Sequence, residues 1–101
     1  MIGKFGYVFE WDDAKNAENF RKHGITFEEA STIWRGDTLS RADDRRSYGE
    51  PRELTLGLVR GVAVLAVVHT DRDGTIRIIS ARKATPIERR IYGRHLRRTF
   101  G

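Results

Sequence analysis

The stretch VAVLAVVHTDRDGTIRIISARK, residues 62–83, decides the fold, because both of its halves read as strands and a turn lies between them. Val62 to His69 is nearly all apolar, as expected of a central strand buried on both faces. Asp71-Arg72-Asp73-Gly74 supplies the turn, and Thr75 to Lys83 is a second β-rich run. Strict alternation places Ile76, Ile78, Ser80 and Arg82 on one face of that run and Arg77, Ile79, Ala81 and Lys83 on the other. Such a strand carries cations on both sides.

Upstream, Leu54, Leu56 and Leu58 alternate and Arg60-Gly61 turns the chain, which makes an antiparallel meander. The polar segment before it reads weakly as a strand through Thr38, Leu39 and Ser40, then runs into the loop DDRRSYGEPR, residues 43–52. Earlier still, Asp12 is an N-cap, Ala14, Ala17 and Phe20 recur every third residue, and Gly24 supplies a left-handed stop for a first helix. Thr26 and Glu29 form a capping box, and Phe27, Ala30, Ile33 and Trp34 give the second helix one apolar stripe. Phe5, Tyr7 and Phe9 read as a first strand. At the other end, Thr85-Pro86-Ile87-Glu88 opens a last helix with Ile87, Ile91 and Leu96 expected to face inward. The expectation is an α+β fold: an N-terminal strand, two helices, an antiparallel β-meander and a C-terminal helix. Helices should cover one face of the sheet and leave the other open.

A length of 101 residues suits one domain over residues 1–101, with one modest core. With 39% hydrophobic and 33% charged residues, the chain reads as a globular protein rather than a disordered one. No apolar run approaches the roughly 20 residues that span a bilayer, and the first residues lack the apolar core of a signal peptide, so a cytoplasmic, membrane-free protein is expected. The absence of cysteine excludes thiol nucleophiles and zinc–thiolate sites. His23, His69 and His95 are too scattered for a metal motif, so no metal or cofactor is expected. There is likewise no phosphate-binding glycine loop, dinucleotide fingerprint or GxSxG elbow.

The net charge of +5 favours a polyanionic partner. Much of the excess lies after Ser80, where Arg82, Lys83, Arg89, Arg90, Arg94, Arg97 and Arg98 face the single acid Glu88. These side chains suit metal-free cleavage of RNA, in which the 2′-hydroxyl is the nucleophile and the protein need supply only a base, an acid and cations around the developing phosphorane. The candidates are His23, Glu50, Arg52, Arg72, Arg77, Arg82, Lys83 and Tyr92. Arginine is favoured because its fork matches two phosphate oxygens. Each has a plainer reading. Trp11 either packs over the first helix or stacks on a base, Lys15 and Lys22 are ordinary solvated helix residues, and His23 either caps its helix or moves a proton. His69 closes a buried strand and reads as a satisfied structural histidine.

FEWDDAKNAENFRKHGITFEEA, then SYGEPR, then VVHTDRDGTIRIISARKATPIERRIY, resembles the BrnT family, the toxin half of a bacterial type II toxin–antitoxin pair. The resemblance runs from Phe9 to Tyr92. It implies a RelE-like fold, metal-independent endoribonuclease activity that stops translation, and neutralisation by a BrnA-like antitoxin. That antitoxin would carry a DNA-binding domain, so operator DNA would be met only through it, in a hetero-oligomer. Pro51 departs from the pattern and restricts the backbone of Glu50. The expected catalytic residues are Arg82 and Arg52 for transition-state charge with Arg77 beside them, and His23 or Glu50 for proton transfer. Trp11, Lys15, Lys83, Arg89 and Tyr92 are expected to bind RNA, with His23, Trp11 and Lys15 at the rim of a groove floored by Arg77 or Arg82. The alternative is a non-catalytic basic module that holds nucleic acid or an acidic protein.

Overall fold

The computed structural model describes residues 6–43 and 49–100. Phe5 and the loop residues 44–48 lie outside them. The chain forms β1 (Val8–Glu10), α1 (Asp13–His23), α2 (Phe27–Ser31), a 3₁₀ turn (Thr32–Arg35), β2 (Thr38–Ala42), β3 (Glu53–Val59), β4 (Ala63–Arg72), β5 (Thr75–Lys83) and α3 (Pro86–Phe100). The strands make one mixed sheet in the order β1-β5-β4-β3-β2, with β1 parallel to β5 and the other pairings antiparallel. The meander and the central place of β4 follow the sequence pattern. The turn is shorter than Asp71–Gly74, however: Asp71 and Arg72 still pair with β5, and only Asp73 (φ 48°) and Gly74 (φ 85°) turn, both in the left-handed region that a tight Asp-Gly hairpin requires.

The helix termini obey local chemistry. Asp12 accepts from the Lys15 amide at 3.0 Å and Gly24 ends α1 at φ 69°. At α3 the capping box closes in both directions, Glu88 N to Thr85 Oγ1 at 3.1 Å and Thr85 N to Glu88 Oε1 at 2.8 Å. At α2 only the forward bond forms, Glu29 N to Thr26 Oγ1 at 3.0 Å, because the Glu29 carboxylate turns to Arg60 at 3.3 Å.

Helices cover both faces of the sheet, not one. On one face Phe27, Ala30, Ile33 and Trp34 pack with Phe9, Leu65, Val67, Ile76, Ile78 and Ala81. On the other, Tyr92 and Leu96 of α3 pack with Leu54, Leu56, Ala66 and Val68. Two apolar stripes were misassigned. Phe20 is 56% exposed, and the residue α1 buries is Asn19, whose amide makes three hydrogen bonds, to Ile25 O and to both Ala81 O and N. On α3, Ile87 and Ile91 face outward while Tyr92 is buried and donates to Asp37 O at 2.6 Å.

A bulge changes the faces of β5. Val68 pairs with Ser80 and His69 with Ile78, so Ile79 is an extra residue. Ile76, Ile78 and Ala81 therefore all enter the α1–α2 core. Arg77 and Arg82, expected on opposite faces, leave the sheet on the same side, that of α3.

Candidate active site

Beyond the reach of α3, the same face carries a polar pocket of about 210 Å³ lined by Glu10, Glu50, Thr70, Arg72, Thr75 and Arg77. The strands fix its floor. Thr70 pairs with Arg77, Arg72 with Thr75, and Glu10 of β1 with Arg77, so alternate residues of three neighbouring strands meet on one side. Glu50 arrives from the loop before β3. Gly49, at φ 78°, supplies a left-handed step just ahead of it, and Pro51 follows.

The charges are arranged loosely enough to exchange partners. Arg72 Nη2 donates to Glu50 Oε2 at 2.6 Å, while Arg77 stands 3.7 Å from Glu10, too far for a hydrogen bond. The Arg72 and Arg77 side chains are 77% and 46% exposed and that of Glu50 is 33% exposed. An incoming phosphate can take both guanidinium groups without a buried charge being left alone.

On the opposite face of β4, His69 is 1% exposed and lies edge-on to Trp34, with ring centroids 5.0 Å apart. Its Nδ1 donates to Asp71 at 2.5 Å, since a carboxylate only accepts, and its Nε2 meets Thr55 Oγ1 at 2.6 Å; Thr55 in turn meets Ser40 at 2.7 Å. This chain of contacts pins the β4 segment whose other face presents Thr70 and Arg72.

The expected site residues separate into groups. Glu50 and Arg77 come together. His23, Lys15 and Trp11 do not join them, because α1 lies on the other face of the sheet; no rim of the expected kind forms around Arg77 or Arg82. Trp11 packs edge-on to Phe27 with centroids 6.2 Å apart, and His23 and Lys15 are exposed. Arg82 holds Glu88 through two bonds of 2.7 and 3.0 Å. That guanidinium, with the Thr85 amide, pulls the Glu88 carboxyl down from its ordinary 4.5 to about 2. Arg52 is half-buried just before β3, Lys83 is exposed at the end of β5, and Arg89 is exposed with its guanidinium donating to Ala84 O at 3.1 Å. Tyr92 is a buried strut, and burial with the nearby Asp37 charge pushes its hydroxyl up. The sequence reading missed Glu10, whose one signal was its place in the FEWD motif; its approach to Arg77 depends on the parallel pairing of β1 with β5.

Fold and pocket together define a small α+β protein with a polar pocket of two arginines and two glutamates on an open part of its sheet. A family model described as "Ribonuclease toxin, BrnT, of type II toxin-antitoxin system" matches residues 11–88, and the chain belongs to that family. The crystal structure of the Brucella abortus ribonuclease toxin BrnT is similar at a TM-score of 0.58 and 21% identity, covering 78% of this chain and 97% of that one, a likeness of fold. No curated protein matches the sequence. Among the described residues no helix is long and apolar enough to cross a membrane.

Proposed function

We propose that the chain cleaves RNA without a metal ion, at the pocket between Glu50, Arg72 and Arg77, and that this cleavage stops translation and growth. The observation that carries the reading is the Glu50–Arg72 pair beside the loosely held Arg77. With Arg72 on Oε2, Glu50 keeps Oε1 to accept the proton of a 2′-hydroxyl. The freed 2′-oxygen attacks phosphorus, the P–O5′ bond breaks, the 5′-oxygen takes a proton from solvent water, and the hydroxide left behind takes the proton held by Glu50, which restores the carboxylate. The products are a 2′,3′-cyclic phosphate and a 5′-hydroxyl. Arg72 and Arg77 hold the equatorial oxygens as charge grows, the role a metal would otherwise fill. The pocket is smaller than the roughly 300–1,000 Å³ of drug-sized sites, which suits a phosphodiester entering with its bases outside.

As the family implies, the activity is held in check by a BrnA-like antitoxin whose DNA-binding domain represses the shared operon, and the fold is a variant of the RelE type. Glu50→Gln tests the base. It keeps the shape and the hydrogen bond to Arg72 while removing the proton acceptor, so single-turnover cleavage should fall by about 100-fold or more with RNA affinity nearly unchanged. Full activity in that variant would remove Glu50 from the chemistry. A parallel loss of affinity without loss of rate would favour the binding-module reading.

A further inference from the structure

The two isoleucines that α3 turns outward are not scattered. Ile87 and Ile91, 64% and 43% exposed, close one side of a groove of about 320 Å³ whose other wall is Leu39, Leu54, Leu56 and Arg41 of β2 and β3. Arg90, Arg94 and Arg98 follow one another at helical spacing along the same helix, all exposed. Arg41 lines the groove itself, Arg94 and Arg98 continue the helical stripe of Ile87 and Ile91, and none of the four arginines is ion-paired to a described residue. The one acid lining the groove, Glu88, is already held by Arg82.

We propose that this groove is the docking site for an acidic, aliphatic-bearing segment of the antitoxin; the proposal rests on the toxin reading above. Charge complementarity chooses the occupant. Nucleic acid would satisfy the arginines but has no aliphatic side chains to fill the space between Ile91 and Leu54, whereas a peptide that alternates Leu or Ile with Asp or Glu satisfies both. The groove and the pocket lie on the same face of the sheet. Leu54 lines the groove and Glu50, just upstream of the same strand, lines the pocket on the same face, so a segment continuing past Leu54 lays its carboxylates on Arg72 and Arg77. Docking and inhibition then belong to one continuous contact.

The test uses the full chain and its cognate antitoxin, taken as the co-encoded protein that rescues growth, with binding measured by calorimetry. Ile87→Asp and Ile91→Asp should each weaken antitoxin binding by about 30-fold or more. Both positions are exposed, so the melting transition and antitoxin-free RNA cleavage should stay as in the parent. Arg94→Glu should weaken binding less, by an amount that shrinks with added salt. Amide hydrogen exchange on the unmodified complex provides a measurement free of any variant: β2 and the first half of α3 should become protected. Binding within twofold of the parent in both isoleucine variants, or no protection there, overturns the proposal. So does a loss of RNA affinity in place of antitoxin affinity, or a parent dimer that Ile91→Asp converts to monomer, since the groove would then serve RNA or a second copy. A parent that docks its antitoxin through the groove but cleaves no RNA sinks the ribonuclease reading and leaves the docking site standing.

Discussion

Arg77 and Arg82 leave β5 on one side because Ile79 is an extra residue against β4, and their neighbours then give them different work. Arg82 meets a carboxylate that also caps α3, through two short bonds, with side chains 31% and 13% exposed. Arg77 meets Glu10 only at 3.7 Å. Arg77→Ala should therefore lower cleavage by about 100-fold or more while leaving the unfolding midpoint in place. Arg82→Ala should cost about 1 kcal/mol of stability, a modest figure because the pair is partly solvated, and should affect toxicity only as far as the fold is weakened. Denaturant titration beside a single-turnover assay separates the two. A stable, inactive Arg82→Ala protein would return transition-state charge to Arg82, where sequence alone had put it.

Elements were legible where their chemistry is local. The caps at Asp12, Thr26 and Thr85, the turn expected over Asp71–Gly74, which closes more tightly at Asp73-Gly74, and the alternation of Leu54 and Leu56 each depend on residues a few positions apart, and each formed. What failed depends on distant partners. α3 has two apolar stripes, and periodicity cannot say that Tyr92 and Leu96 win over Ile87 and Ile91; the choice is made by the Tyr92 bond to Asp37 and by His95, 2.6 Å from the Asp37 carboxylate. The proposed site was legible by residue type, since Glu50, Arg72 and Arg77, which line its pocket, were all candidates. Their grouping was not, because it needs the bulge, the β1–β5 pairing and the path of the loop.

Two predictions belong to the elements. Gly57 on β3 lies so close to the 3₁₀ turn that an added Cβ would stand 2.7 Å from the Cβ of Ile33. Gly57→Ala should destabilise the protein by about 1–3 kcal/mol, read as a lower melting transition, and an unchanged melt would mean that the turn does not pack on β3 this closely. Glu88 gives a pH signature. Because its folded pKa lies below the unfolded value, its contribution is fully present above about pH 4.5 and is lost as pH falls towards about 2. Glu88→Gln should flatten that part of the stability-against-pH curve and lower stability at neutral pH; an unaltered acid limb would show that the carboxylate is not held as described.

At the scale of the molecule, the sheet divides the labour. One face is closed by α1 and α2, with Asn19 and His69 satisfied inside it, and carries stability. The other is only partly covered by α3, which leaves the polar pocket at one end and the arginine-edged groove beside the helix. A net charge of +5 favours polyanions near this molecule, and the pocket is the proposed place of their cleavage. The most direct measurement is cleavage of a defined RNA by the purified protein in excess EDTA, beside the same RNA carrying a single 2′-deoxy substitution at the cleaved position, with the product ends identified by mass. The account predicts undiminished cleavage in EDTA, 2′,3′-cyclic phosphate ends, and no cleavage at the deoxy position. Cleavage that disappears in EDTA and returns with magnesium, or that cuts the deoxy site equally well, would contradict it.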